Sequence, residues 1–160
     1  MKLLNFKSFK YAFKGLIYCI SNEKNMRIHT SIALYVLLFS RFFNLSIEKY
    51  MILVLTISAV ISAEMVNTAT EQICNIITLD YNPSIKIIKN IAAGAVLVFA
   101  IASIVVGYML FWDVDVFLSI FKYFINNLWL SVALLFLTIF VFVYIDIGPL
   151  GIKDLLKLKK

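Results

Sequence analysis

The sequence predicts an all-α integral membrane protein: an N-terminal amphipathic helix lying on the membrane surface, followed by four transmembrane helices. Two observations carry this expectation. Of 160 residues, 62% are apolar and 15% charged, with a mean hydropathy of +0.95, whereas soluble domains run at about 45–50% apolar and about 25% charged. A chain this small has proportionally more surface to keep wet, so a cytosolic globule is excluded. The apolar residues also gather into runs of span length with basic residues at their ends. A backbone in hydrocarbon must satisfy its own hydrogen bonds, which a helix does, and no alternating short strands of a barrel occur. Five Gly and two Pro leave no room for several domains joined by flexible linkers.

The net charge of +6 flanks the apolar runs instead of clustering on a wet face, so no nucleic-acid partner is expected. Cys19 and Cys74 are too few for a disulfide framework and lack zinc-ligand spacing. Both read as small buried hydrophobes.

At the N-terminus Phe6, Phe9, Phe13, Ile17 and Ile20 recur at helical spacing, with Lys7, Lys10 and Lys14 on another face. Such a helix lies in the interface, its aromatics in the acyl boundary and its lysines among anionic headgroups. The spans follow at 28–43, 51–77, 91–112 and 128–147. The first is the shortest, bounded by His29 and Arg41. Asn82-Pro83 reads as an N-cap followed by a first-turn proline, so the third helix starts near Pro83, below the membrane. Within it Ala93, Ala100 and Gly107, with Ser103, form a small-residue stripe suited to close helix packing. Residues 113–127 form a second interfacial segment, whose Asp113 and Asp115 fit a solvated face.

Four spans place both termini on one side. With that side cytoplasmic, Lys2, Lys7, Lys10, Lys14, Lys24, Arg27, Lys86, Lys89, Lys153, Lys157, Lys159 and Lys160 fall inside, against Arg41, Lys49 and Lys122 outside. The positive-inside rule favours this orientation, and it favours a true fourth span, without which the lysine-rich tail would face the wrong side.

Inside the second apolar run stand Glu64, Asn67, Thr68 and Glu71, at i, i+3, i+4 and i+7. They share one helix face, with the two carboxylates about 10 Å apart along the axis. Carboxylates in or near hydrocarbon cost a few kcal/mol each and need compensation. One reading has them wet at the interface and paired with Lys24, Arg27 or Lys89. The other makes them a site in which a divalent cation neutralises both, and magnesium favours oxygen ligands shared with phosphate. The stretch from Asn22 to His29, with Glu23, Lys24 and Arg27, lies at the same membrane level. It adds an acid for a metal and cations for phosphates. No Gly-rich loop or GxxxxGK[ST] occurs, so a nucleotide would be held by side chains.

Four stretches, SFKYAFKGL at 8–16, EKNMRIH at 23–29, EMVNTATE at 64–71 and the helix from Lys86 through Leu97, resemble the prokaryotic diacylglycerol kinase and undecaprenol kinase family in order and spacing. The E-x-x-N-T-A-x-E run is the most specific, and E-K-N-x-R-I-H resembles the undecaprenol kinase branch more than the proteobacterial diacylglycerol kinases. The resemblance covers roughly residues 5–112. It implies a membrane lipid kinase domain at 1–112, with a surface helix and three spans; residues 113–160, read above as an interfacial segment, a fourth span and a basic tail, have no counterpart in that pattern. It also implies a homotrimer in a bacterial cell membrane, with sites between subunits at the cytoplasmic interface, transferring the γ-phosphate of ATP to a lipid alcohol. By position, Glu64 matches the general base, Asn67 its polar partner, Glu23 and Glu71 the magnesium ligands, and Lys89 the phosphate-contacting lysine. Lys24, Arg27 and Asn90 join the nucleotide-binding set.

The acceptor expected is undecaprenol, with diacylglycerol second. Phosphoryl transfer asks mainly for positioning and charge neutralisation. Glu64, deep in its span, suits a base, and Glu71, near the headgroups, suits a metal. The chain departs from the family at Asn75 and Asn90, where aspartates are usual; asparagine keeps an acceptor and loses the charge. A membrane scaffold that retains the fold with weakened or no catalysis is the alternative reading. No chemistry is expected of residues 128–147, where Asp146 is the one group charged at neutral pH.

Overall fold

The computed structural model describes residues 6–157. Lys2, Lys159 and Lys160 of the charge pattern lie outside the described residues, as do the side chains of Phe6 and Lys157. Among the described residues the chain is entirely helical apart from turns: α1 Phe6–Asn22, α2 Lys24–Ser40, α3 Ile47–Ile77, α4 Pro83–Phe111, α5 Val114–Asn126 and α6 Leu128–Lys157.

α3 and α4 form a long hairpin, α2 packs between α3 and α6, α1 crosses the ends of α2, α3 and α6, and α5 folds against α6. Three helices are long and apolar enough to cross a membrane: Ile47–Ile77, Pro83–Phe111 and Leu128–Lys153. The chain is a multi-pass membrane protein. α2, expected as the first span, has 17 residues and rises about 25 Å, short of the about 30 Å of hydrocarbon. Its boundaries also move from 28–43 to Lys24–Ser40. The Ser40 hydroxyl bonds back to the Leu37 carbonyl, and Asn44 takes a left-handed φ of 44°, which asparagine tolerates better than most residues. The chain then turns, and Ser46 caps α3.

α1 leaves Phe9, Phe13 and Ile17 exposed on one side. α4 begins as its sequence predicts, with Asn82 Oδ1 accepting from the amides of Ser84 at 2.9 Å and Ile85 at 3.3 Å, and Pro83 in the first turn. Asp113 caps α5 in the same way, accepting from the amides of Asp115 and Val116. One of the two aspartates read as a solvated face is therefore a helix cap.

An aromatic cluster pins α5 and the end of α4 to the α2–α3 turn: Phe42 meets Tyr123 at 5.4 Å, and Phe43 meets Phe111 at 5.0 Å and Phe117 at 5.5 Å between ring centroids. Offset and edge-on ring pairs of this kind are favourable. The small-residue stripe of α4 is not a tight helix contact, because a Cβ added at Gly107 would meet nothing within 4 Å. Ala100, Ser103 and Gly107 instead line an apolar groove of about 350 Å³ between α2, α3 and α4.

Candidate active site

The polar face of α3 turns inward. Glu64 is 1% exposed, Thr68 2% and Asn67 7%, because residues three and four apart share one helix face and that face meets α1 and α2. Thr68 spends its hydroxyl on the Glu64 carbonyl one turn back, at 3.0 Å. Asn67 Nδ2 donates to Glu71 Oε1 at 3.1 Å and so links two of the four polar positions.

Three oxygens on this face have no hydrogen-bond partner: both carboxylate oxygens of Glu64, and Asn67 Oδ1. Buried polar atoms are nearly always satisfied, so three acceptors on one helix face without a partner among the described residues mark a place for a cation or a donor. The Asn25 side chain approaches Glu64 without making a hydrogen bond in good geometry. Glu23, from the break between α1 and α2, and Glu71 lie within electrostatic reach of Glu64. Glu23 thus adds a carboxylate from a second part of the chain to the surroundings of the α3 face.

Among the described residues, no three His, Cys, Asp or Glu side chains come close enough to hold a metal ion by themselves. Magnesium does not need such a cage; it is commonly bound through one or two carboxylates together with phosphate oxygens and water. An oxygen-only set with unpartnered acceptors fits it.

Lys89 reaches from α4 to α3, donating to Asn75 Oδ1 at 2.7 Å, one turn beyond Glu71. Asn90 beside it is exposed. Lys24 and Arg27 are drawn elsewhere. Lys24 Nζ pairs with Asp146 Oδ1 of α6 at 2.7 Å. Arg27, 6% exposed, donates through Nε to the Ile145 carbonyl at 3.0 Å, and through Nη1 to the carbonyls of Ser21 at 3.2 Å and Ile20 at 3.4 Å. Neither cation meets Glu64 or Glu71, so the reading in which these acids are neutralised by surface cations is not what the fold shows. α6, from which no chemistry was expected, supplies a partner to each cation.

Sequence reasoning passed over Cys19 as a site neighbour. The thiol is buried beside Thr68, and burial, with the Glu23 and Glu64 carboxylates adding to it, pushes its pKa up. Cys19 would have been found from α1 crossing α3, which no local pattern announces.

The profile of the prokaryotic diacylglycerol kinases matches residues 10–111. The chain belongs to that family. Two relatives show the range of names within it. An undecaprenol kinase of Bacillus subtilis is 39% identical over 106 residues, which is 66% of this chain and 86% of the relative. A diacylglycerol kinase of Synechocystis is 37% identical over 101 residues, 62% of this chain and 58% of the relative. Membership in the diacylglycerol kinase family supports phosphoryl transfer of the kinase type. The match ends at the last residue of α4, so α5 and α6 lie beyond it.

Proposed function

We propose that the protein is a lipid kinase that phosphorylates undecaprenol, with diacylglycerol the second choice of acceptor, using ATP and Mg2+. The observation that carries this reading is the buried, unpartnered Glu64 carboxylate with Asn67 Oδ1 beside it, faced by Glu23 and Glu71. Undecaprenol is preferred because the B. subtilis relative bears that name and is covered over most of its length, and because the sequence at 23–29 resembles that branch.

Glu64 accepts the proton of the lipid hydroxyl as the alcohol oxygen bonds to the γ-phosphorus and the bond to ADP breaks. With no hydrogen bond to satisfy it in the free protein, this carboxylate is available for that proton. Asn67 holds Glu71 in place through the 3.1 Å bond. Magnesium, held by Glu23 and Glu71, would neutralise phosphate charge. Lys89 can turn from Asn75 to a phosphate, since a neutral amide holds a lysine less strongly than a carboxylate does. Lys24, Arg27 and Asn90 complete the proposed nucleotide set. For Lys24 this requires leaving Asp146, whereas Arg27 contributes its charge from its seat against α6.

The proposed topology has four spans, with α2 as the first and both termini cytoplasmic. The kinase domain is residues 1–112, and 113–160 is an addition. A homotrimer with sites between subunits is proposed from the family resemblance.

The test is to incubate purified protein with labelled ATP, magnesium and a panel of lipid alcohols. Label in undecaprenol is expected; label in diacylglycerol alone moves the acceptor. No label in any lipid favours the scaffold, the reading to which the neutral Asn75 and Asn90 and the engagement of Lys24 and Arg27 by α6 lend weight. Glu64→Gln should abolish turnover and leave nucleotide binding intact. Retained activity in that variant removes Glu64 from the role of base.

A further inference from the structure

We propose that the kink of α6 at Gly148–Pro149 is a socket for Arg27 that aims Glu23 at the polar face of α3, making Gly148 and Pro149 positioning residues for the metal side of the site. This rests on the lipid kinase reading above.

The socket follows from two residue types. Proline has no amide hydrogen, so Pro149 leaves the Ile145 carbonyl, four residues back, without its helical donor. Arg27 Nε takes that place at 3.0 Å. Gly148 stands at φ 72° and ψ 171°, a region essentially closed to other residues. A Cβ there would meet Arg27 Nη1 at 3.0 Å and Cζ at 3.1 Å. Absence of a side chain at 148 and absence of a donor at 149 thus admit one guanidinium between them.

The same guanidinium reaches back to the Ile20 and Ser21 carbonyls at the end of α1. Arginine stays charged in proteins, and here it is buried with three carbonyls as its partners, so removing one leaves a poorly compensated cation. Arg27 therefore ties three pieces of chain together: the end of α1, the first turn of α2 and the kink of α6. Glu23 is the single residue between α1 and α2, extended at φ −105° and ψ 121°, and its side chain makes no capping bond. Its direction is set by the two helix ends that Arg27 holds. The Lys24–Asp146 pair closes the outer side, but with side chains 57% and 74% exposed it adds little by itself. Because α6 lies outside the residues matched by the family profile, this support is the chain's own addition.

The double variant Gly148→Ala/Pro149→Ala restores the donor at 149 and the helical preference at 148, so α6 straightens and the Ile145 carbonyl returns to its own helix. Pro149→Ala alone is the milder form, should the double variant fold poorly. Thr138→Val, which removes the 2.9 Å bond from Tyr35 on another part of the α2–α6 contact, is the control for a purely structural role of α6. The readouts are Mn2+ binding by electron paramagnetic resonance in the presence of a non-hydrolysable ATP analogue, and half-saturating Mg2+ in the lipid kinase assay.

We expect Mn2+ affinity to fall about tenfold or more in the kink variants, as loss of support behind a metal ligand commonly does. Half-saturating Mg2+ should rise in parallel, with the lipid KM unchanged and Thr138→Val like wild type. Equal Mn2+ affinity in wild type and kink variants overturns the socket and leaves the kinase reading standing. Tighter binding or faster turnover in the kink variants means that α6 restrains the site, which also overturns it. Wild-type protein that binds no Mn2+ with the nucleotide and labels no lipid overturns the kinase reading and the socket with it.

Discussion

Cys19 and Glu64 illustrate how far a single side chain's chemistry depends on what faces it. The Cys19 thiol is buried and flanked by Glu23 and Glu64, and its pKa lies above the ordinary thiol value, about 8.5. A raised pKa favours the protonated form in the fold, so its contribution to stability is complete below the ordinary thiol range and is lost as pH rises through the shifted value. Alkylation of Cys19, followed by mass spectrometry, should stay slow in folded protein at pH values where a free thiol reacts readily. Rapid labelling near neutral pH would show the thiol open to solvent. Lys89→Met should raise the KM for ATP about tenfold or more, because hydrogen bonds to charged groups are worth about 1.5–3 kcal/mol. An unchanged KM would leave Lys89 as a tie between α3 and α4 through Asn75. That Glu64, Asn67, Thr68 and Glu71 share a face was legible from their spacing alone. That three of their oxygens lack partners was not, since satisfaction depends on what the neighbouring helices bring.

Among the elements, a local cap signal set where α4 begins, whereas limits drawn from apolar runs alone moved for α2, α3 and α6. α4 starts at Pro83 because Asn82 and Pro83 encode a cap and a first turn. Asn82→Ala should cost about 1 kcal/mol, seen as a lower melting temperature in detergent, with Asn82→Asp close to wild type. Equal melting of all three would mean that the cap does not limit stability. α2 lies closer to the N-terminus than its apolar run because the helix begins at Lys24, in the polar junction. α6 runs on past its apolar stretch to Lys157 through a kink at Gly148. A glycine followed by a proline signals a break in a helix; the signal was in the sequence, and its use as a receptor for Arg27 was not.

At the scale of the whole molecule, three membrane-length helices and the shorter α2 leave the sidedness of the ends to experiment. The four-span topology predicts that tags at the N- and C-termini are cleaved by protease from the same face of inverted membrane vesicles. Cleavage of one terminus from each face would reduce the spans to three and turn α2 into a re-entrant or interfacial segment. Membrane residence, helix as the sole element type, the α4 cap and the acidic face of α3 were determined by the sequence, because each rests on composition or on residues within a few turns of one another. The tertiary structure alone decided that Lys24 and Arg27 go to α6 and that Cys19 lies beside Thr68, next to the α3 acids. Those contacts join residues as far as 118 and 122 positions apart, and no local period encodes which distant carbonyl or carboxylate a buried cation will meet.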